Sequence, residues 1–298
     1  MKKRSKRASA RAGGIIAFQG EVGAYSDLAC RMAYPKMQTL ACGSFEDAFA
    51  AVESGRARIA MIPVENSVAG RVAEIHQLLP QTGLHIVAEH FQRVNHHLLV
   101  LPGTKIGDIK TVHSHVHALS QCRKFIRSLK LKPVVHADTA GAAAEVAAKG
   151  DRSAAAIASA LAGKIYGLKS LRSGIEDAEH NTTRFLVLAR HPVDPDPAKG
   201  KVITSFVFRV RNVPAAIFKA LGGFATNGVN MTKLESYLIG GNFNSAQFYA
   251  DVEGHPKERN VRLTFEELAF FSREVRESMK PGIMTAPRAS IFRVAGPI

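Results

Sequence analysis

Residues 179–188 read Glu179-His180-Asn181-Thr182-Thr183-Arg184-Phe185-Leu186-Val187-Leu188 and join a polar cluster to an apolar run. The run from Phe185 to Leu188 indicates a short buried β-strand. Polar side chains at the end of such a strand are held rigidly, as ligand-binding residues are in open α/β sheets. Asparagine and threonine are also common turn residues, so this stretch alone predicts either a site or a turn.

Strand patterns alternate with helix patterns on the amino-terminal side of this stretch. Ile15 to Phe18 is a short apolar strand, and the loop Gln19 to Ser26 after it turns into a helix. The alternation predicts an α/β domain over 15–190 with a mostly parallel sheet, divided into two lobes where the chain crosses over and returns. Further strands are predicted at 59–64, 85–89, 95–101, 134–137 and 154–157, and helices from about 27, at 45–54 and 72–79, from within 111–117, and at 138–149 and 159–165.

Residues 191–200 contain three prolines among aspartates and read as a stiff polar linker. A second unit, expected at 201–296, has the order β-α-β-β-α-β, which predicts a ferredoxin-like domain. Its strands are predicted at 203–211, 231–239, 246–251 and 291–294, and its helices at 214–226 and 265–277.

The composition bounds the classes of partner. Six positive charges of the formal net charge of +15 lie in residues 1–14, which we expect to be a disordered basic tail. There is no Trp, and aromatic and basic residues do not interleave, so nucleic-acid binding is not expected. No window approaches 18 uninterrupted apolar residues, and the start lacks the apolar stretch of a secretion signal. The expectation is a cytoplasmic protein without a membrane partner, and a moderately basic surface also attracts small anionic substrates.

A metal site is not expected. The three cysteines Cys30, Cys42 and Cys122 lack metal-site spacing and are typical of reduced thiols. His113, His115 and His117 would share one face if they lay on a strand. Ser114 resembles a helix cap, however, and a helix beginning there would splay the three rings apart.

The segment Glu65-Asn66-Ser67 follows the predicted strand at 59–64 and precedes a helix. An acid, an amide and a hydroxyl in this position point to the crevice where open α/β sheets bind ligands. Helix capping by Asn66 or Ser67 is the alternative, and one residue can serve both purposes.

Several short stretches of this chain match motifs of one known family and occur in the same order. They are Phe18-Gln19-Gly20, Gly23-Ala24-Tyr25-Ser26, Ser44-Phe45-Glu46-Asp47, Pro63-Val64-Glu65-Asn66-Ser67 with Gly70, His96 with Leu98-Leu99, Ser114 with Gln121-Cys122, Asp138-Thr139-Ala140, and Asn181-Thr182-Thr183-Arg184-Phe185. From about 15 to 296 the chain thereby resembles prephenate dehydratase with a C-terminal ACT regulatory domain. The implied fold is a two-lobed, periplasmic-binding-protein-like dehydratase domain followed by a ferredoxin-like βαββαβ ACT domain.

The resemblance implies a lyase that converts prephenate to phenylpyruvate on the route to phenylalanine, without a metal or organic cofactor. It also implies a homodimer or homotetramer. Two alternatives stay open: an arogenate dehydratase, or a non-catalytic solute- or effector-binding sensor with an ACT domain, since the two-lobed plan serves binding proteins as well.

The resemblance also assigns site residues. Thr183 is implied in the chemical step, with its hydroxyl donating to the departing oxygen. Glu65 is a candidate proton donor, and an orienting hydrogen bond to Thr183 or Asn66 is its alternative role. Arg184 is expected to face away from Thr183 and hold the strand. The implied substrate-binding residues are Asn66, Ser67, Ser114, Gln121, Asp138, Asn181 and Thr182, although Asp138 has helix capping as an alternative.

The ACT pattern of the family is only half kept. Where the family has Pro-Gly-Ala-Leu, the chain reads Pro214-Ala215-Ala216-Ile217, and where it has Glu-Ser-Arg-Pro, the chain reads Glu235-Ser236-Tyr237-Leu238. Alanine at 215 adds a Cβ where the backbone approaches the effector. We therefore expect weak or altered phenylalanine feedback, with candidate effector residues Pro214, Ala215, Ala216, Asn230, Glu235 and Ser236.

Overall fold

The computed structural model describes residues 14–211, 213–239, 242–274 and 290–295. The tail expected to be disordered, residues 1–14, lies outside this part of the chain except for Gly14. Contacts group the chain into two units, Met1–Val72 with His90–Phe185 and Ala73–Glu89 with Leu186–Ile298. The domain boundaries expected at 190 and 200 remain predictions.

The first lobe of the first unit is a parallel sheet in the order β2-β1-β3. Ser44 caps its second helix as predicted, because the Ser44 side chain accepts a hydrogen bond from Asp47 N at 3.0 Å. The strand at 38–42 was missed because its apolar part is only three residues long, Leu40 to Cys42. The elements are β1 (Ile15–Gln19), α1 (Tyr25–Ala33), β2 (Gln38–Cys42), α2 (Phe45–Glu53), β3 (Ile59–Asn66) and the short β4 (Gly70–Arg71), which pairs antiparallel with β3.

Two elements follow along the chain, α3 (Ala73–Leu78) and β5 (His85–Arg93). The second lobe of the first unit is then a five-stranded sheet in the order β10-β6-β9-β7-β8, in which β7, β8 and β9 are parallel and β6 runs antiparallel to its neighbours. Its elements are β6 (His97–Val100), β7 (Thr111–Ser114), α4 (Val116–Gln121), α5 (Arg123–Ser128), β8 (Lys132–Val135), α6 (Thr139–Lys149), β9 (Ala154–Ala158), α7 (Ala160–Ile165) and β10 (Lys169–Ser173).

Helices cover both faces of this second sheet. Ile157 of β9 packs with residues of α4 and α5, whereas Ala156 and Ala158 of the same strand pack with α6 and α7. All five residues of β9 are therefore buried, as expected for a strand with two covered faces. The polar and apolar stretch 179–188 lies for the most part in β11 (Thr182–Ala189).

The segment 111–117 corrects one sequence prediction. Thr111 to Ser114 form β7, so Ser114 ends a strand and does not cap a helix. The N-cap of α4 is His115, whose ring accepts a hydrogen bond from His117 N at 3.3 Å. The misassignment arose because serine is a common cap, whereas here the pairing of β7 with β8 and β9 decides the backbone. Within the described ranges, no group of three or more His, Cys, Asp or Glu residues is placed to hold a metal ion.

The carboxyl-terminal part of the second unit has the predicted βαββαβ order, with antiparallel strands arranged β13-β14-β12-β16. Phe206 and Phe208 pack against Phe224 and other residues of the two helices. Its elements are β12 (Val202–Val210), α8 (Ala216–Thr226), β13 (Met231–Ile239), β14 (Asn242–Glu253), α9 (Arg259–Phe271), β15 (Ser272–Glu274) and β16 (Ser290–Ala295).

The last helix was predicted six residues too late, at 265–277. Its buried positions Val261, Thr264 and Leu268 show that the apolar stripe begins before 265. The helix ends at Phe271 because residues 272–274 pair with β12 as β15; residues 275–277 lie outside the described part. Across the described chain, the helices are too short or too polar to cross a membrane.

Candidate active site

Asn66, the last residue of β3, is oriented by the backbone that follows it. Its Oδ1 accepts hydrogen bonds from Val68 N at 3.0 Å and Ala69 N at 2.8 Å. Because both partners are N–H donors, this end of the side chain must be the oxygen. The Nδ2 group of Asn66 therefore points the other way as a donor.

That donor reaches the stretch before and within β11. Asn66 Nδ2 donates to Asn181 Oδ1 at 2.8 Å and to Thr183 Oγ1 at 3.0 Å, with Thr182 O at 3.3 Å. Asn181 and Thr183 are two residues apart on extended backbone, so their side chains share one face. Thr183 thus accepts a hydrogen bond, which leaves its own O–H proton available to donate. The described residues supply no acceptor for that proton.

Gln121, at the end of α4, completes a group of three amides. Asn181 Nδ2 donates to Gln121 Oε1 at 2.9 Å, and Gln121 Nε2 donates to Asn66 Oδ1 at 3.4 Å. Asn181 is only 1% exposed. A partly buried, mutually hydrogen-bonded amide group is rigid, because turning any member would place two donors or two acceptors together.

The amide group continues to a buried histidine and a tyrosine. His96 Nε2 lies 2.9 Å from Gln121 Oε1, and His96 Nδ1 lies 2.9 Å from the Tyr25 hydroxyl oxygen, which also lies 2.8 Å from Asn95 O. Burial lowers the pKa of His96 from its ordinary value, opposed by the bond to Gln121 and the charge of Glu176. Burial also raises the pKa of Tyr25. The neutral forms of both side chains are favoured.

Ser67 forms hydrogen bonds with backbone atoms of the polar stretch at His180 and Thr182. The Ser67 hydroxyl donates to His180 O at 2.6 Å and accepts from Thr182 N at 2.9 Å, while Ser67 N donates to Thr182 O at 2.9 Å. Three bonds between two short segments place Asn181 and Thr183 at a defined distance from Asn66. Ser67 and Thr182, both predicted to bind the substrate, therefore contact each other.

Two other predicted residues make contacts away from the amide group. The Ser114 hydroxyl is fully buried and donates to Ile157 O at 2.5 Å. Asp138 caps α6, since its Oδ1 accepts from Gly141 N at 2.6 Å. For Asp138 the capping alternative is therefore present in the structure.

Glu65 precedes Asn66 in β3 and pairs in register with Arg71 of β4. Side chains alternate along a strand, so Glu65 is directed to the opposite face from Asn66. Its role as a proton donor remains a prediction.

Sequence reasoning did not place Tyr25 and His96 in the site. A signal existed, because both residues stand in the stretches that carry the family resemblance. Their hydrogen-bonding roles depend on contacts between residues about 70 positions apart, which no local pattern reveals.

The predicted effector residues around α8 keep an unusual backbone. Pro214 and Ala215 precede the helix, which begins at Ala216, and Ala215 has φ 59°, in the left-handed region. Glycine adopts that region without the steric cost that a Cβ brings. The backbone therefore has the conformation that suits glycine, although the residue is alanine.

The remaining effector candidates lie near or on β13. Asn230 Nδ2 donates to Glu253 Oε2 at 3.0 Å, and Glu235 forms an ion pair with Lys233 at 3.7 Å. Glu235 and Ser236 are consecutive in β13, so they face opposite sides of the sheet. The structure does not bring these two side chains together on one face.

The fold and the site together define a two-lobed α/β protein whose polar groups converge at strand and helix ends, with a hydroxyl donor held among amides. Residues 16–193 match the family model for prephenate dehydratase. The chain belongs to the prephenate dehydratase family, and so to a family of dehydratases.

Relatives support this over most of the chain. A bifunctional N-acyl-homoserine lactone acylase/prephenate dehydratase of Komagataeibacter europaeus is 52% identical, covering 87% of this chain and 92% of that protein. The chloroplastic arogenate dehydratase/prephenate dehydratase 1 of Arabidopsis thaliana is 39% identical, covering 88% and 70%. The crystal structure of prephenate dehydratase in complex with L-Phe from Arthrobacter aurescens has a TM-score of 0.81 at 25% identity, covering 94% of this chain and 89% of that chain.

Proposed function

We propose that this protein is a prephenate dehydratase, a carbon–oxygen lyase that converts prephenate to phenylpyruvate. The observation that carries the proposal is the hydroxyl of Thr183. Its oxygen accepts from Asn66 Nδ2 at 3.0 Å, so its proton is left for a substrate oxygen.

The chemistry needs such a donor. The bond from the ring to its carboxylate breaks and releases carbon dioxide, and the electron pair moves into the ring and expels the ring hydroxyl. That oxygen leaves as water once it receives a proton, and the gain of aromaticity drives the step. A hydrogen bond from Thr183 strengthens as negative charge develops on the departing oxygen, so it stabilises the transition state more than the ground state.

A threonine is too weak an acid to deliver the proton alone. Glu65 is the proposed proton source, with orientation of its neighbours as the alternative role. Glu65→Gln separates the roles: a proton donor predicts a large loss of kcat, whereas an orienting residue predicts a small one.

The substrate carries two carboxylates, and the site offers amide and hydroxyl groups to hold them. Asn66, Gln121 and Asn181 are the proposed positioning groups, with Ser67 and Thr182 fixing the backbone between them. Ser114 remains a proposed substrate contact, although its hydroxyl proton is committed to Ile157 O. Asp138 is proposed through the α6 N-terminus that it caps.

The direct test is to incubate the protein with prephenate and follow the absorbance of phenylpyruvate. Turnover supports the proposal, and its absence in folded protein leaves the binding-sensor alternative. Arogenate, in which an amino group replaces the side-chain keto group, is the competing substrate. Comparison of kcat/KM for the two substrates decides between a prephenate and an arogenate dehydratase.

We propose that the ferredoxin-like unit is an ACT domain with weak or altered phenylalanine feedback. The Arthrobacter aurescens structure was determined with L-Phe, and this chain has alanine at 215 in a glycine-like conformation. Calorimetry with phenylalanine tests the idea. Micromolar binding accompanied by inhibition would refute it.

The chain is further proposed to be a cytoplasmic homodimer or homotetramer. Light scattering coupled to size-exclusion chromatography measures the oligomer directly, and fractionation of expressing cells tests the compartment.

A second candidate function is the acylase activity in the name of the 52% identical relative. Mass spectrometry of N-acyl-homoserine lactones incubated with the protein tests it, because cleavage releases homoserine lactone and a fatty acid. Burial raises the pKa of the Cys122 thiol well above its usual range, so the cysteine beside Gln121 is not activated as a nucleophile. Loss of both activities in Thr183→Val would place them in one site.

A further inference from the structure

The donor and acceptor of each hydrogen bond in the site can be assigned in order, starting from the backbone N–H groups that bind Asn66. The N–H groups of Val68 and Ala69 can only donate, so they determine which end of the Asn66 amide is oxygen. Asn66 Nδ2 then donates to Asn181 Oδ1, and Asn181 Nδ2 donates to Gln121 Oε1. The orientation of each amide in this series therefore determines which atom of the next amide must accept the hydrogen bond.

The series ends at a histidine whose proton position follows from it. Gln121 Oε1 can only accept, and His96 Nε2 lies 2.9 Å away, so this nitrogen must carry a proton. The ring is 2% exposed, and burial favours its neutral form. In a neutral ring with a proton on Nε2, the other nitrogen is a bare acceptor.

Tyr25 supplies the donor for that acceptor. Its hydroxyl lies 2.9 Å from His96 Nδ1, and its ring meets the imidazole edge-on at a centroid distance of 5.4 Å. The same hydroxyl lies 2.8 Å from Asn95 O. If Tyr25 were absent, His96 Nδ1 would lose this donor, and the tautomer with its proton on Nδ1 would no longer be disfavoured on this side of the ring.

We propose that Tyr25 and His96 are positioning residues that hold the catalytic hydroxyl by keeping His96 in the Nε2–H tautomer. The His96 Nε2–H group holds Gln121 Oε1 in the position that accepts from Asn181. Asn181 in turn keeps Asn66 Nδ2 directed at the oxygen of Thr183. The wrong tautomer places a bare nitrogen against Gln121 Oε1, and the repulsion moves Gln121 away from Asn181. The inference deepens the proposed function and rests on it for its kinetic consequence.

The ring could instead serve only as packing, and the variants separate these roles. Glutamine can place an N–H where His96 Nε2 lies, whereas leucine fills the space without a donor. A donor role predicts that His96→Leu lowers kcat about fivefold while His96→Gln stays within about twofold, since one neutral hydrogen bond contributes about 1 kcal/mol. Tyr25→Phe should lower kcat by a similar factor, with KM nearly unchanged in each variant. A packing role predicts that the glutamine variant is no better than the leucine variant.

The tautomer itself can be read without activity. In protein labelled with ¹⁵N-histidine, ¹H–¹⁵N correlation spectra distinguish the two neutral tautomers and the imidazolium, and the signals lost in His96→Gln assign the ring. The expected result is Nε2–H at pH 7.5 in the wild type and a mixture in Tyr25→Phe. His97→Gln is the matched control, because His97 Nδ1 contacts Ser170 Oγ at 2.9 Å outside the amide series, and its kcat should not change.

An Nδ1–H or charged His96 in the wild type overturns the inference, as does an unchanged kcat in folded Tyr25→Phe and His96→Leu. Wild-type protein that does not turn over prephenate refutes the proposed function instead. In that case the tautomer and the binding of prephenate to the same variants decide the positioning role.

Discussion

Replacement of Thr183 by valine removes one hydroxyl and keeps the shape of the side chain. The change leaves Asn66 Nδ2 with Asn181 Oδ1 at 2.8 Å and Thr182 O at 3.3 Å, so no buried donor is orphaned. One neutral hydrogen bond is lost, and the free energy of unfolding should fall by about 1 kcal/mol. The fold should survive.

The catalytic loss should be larger. Removing a single preorganised donor to a developing oxyanion typically costs about 2.7–4 kcal/mol of transition-state stabilisation, or roughly 10²–10³ in kcat. Because this contact strengthens only as charge develops, KM for prephenate should change little. Thr183→Ser restores the hydroxyl and should recover most of the rate.

The assay is the initial rate of phenylpyruvate formation over a range of prephenate concentrations, with urea unfolding of the same preparations. Thr39→Val is the matched control. It also removes a hydroxyl from a partly exposed strand threonine, whose Oγ1 accepts from Arg31 at 3.3 Å in β2. A folded Thr183→Val protein with kcat within threefold of the wild type would show that this hydroxyl does not act in the chemical step.

Three further predictions concern stability. Burial lowers the pKa of His96, with Glu176 opposing the shift and His97 adding to it. The folded state therefore binds fewer protons than the unfolded state, and stability falls as the pH drops below the ordinary histidine pKa of 6.5. His96→Gln should flatten this fall, by at most about 1.4 kcal/mol per pH unit in urea titrations. Ala215→Gly should raise the free energy of unfolding by about 1 kcal/mol because it relieves a left-handed alanine, and an unchanged or lower thermal midpoint would contradict this. Asp138→Ala should lower the free energy of unfolding by about 1 kcal/mol through loss of the α6 cap; a raised KM as well would indicate substrate contact.

Much of the fold was predictable because local patterns decide it. The apolar runs at β1, β3 and β9 lie in buried strands. Ser44 caps α2 and Asp138 caps α6. The ferredoxin-like order followed from the alternation of strands and helices. The predictions failed where a weak pattern depended on partners, as in β2, whose apolar part is only three residues long and whose backbone is decided by its ladder with β1.

The site was predictable in part. Asn66, Gln121, Asn181 and Thr183 were chosen from motifs, and the structure brings them into one hydrogen-bonded group. The sequence by itself determined the family, the order of the elements in the ferredoxin-like part and the residue types at the strand ends, since these depend on local patterns and on short motifs.

Only the tertiary structure decided which way each amide points and which proton is free. Those directions arise from contacts such as Asn66 to Thr183 and Tyr25 to His96, between residues far apart in the chain. A hydrogen bond has a donor and an acceptor, so its direction is defined only when both partners are in place. The stretch from Asn181 to Thr183 therefore became a site through the partners that the fold brings to it.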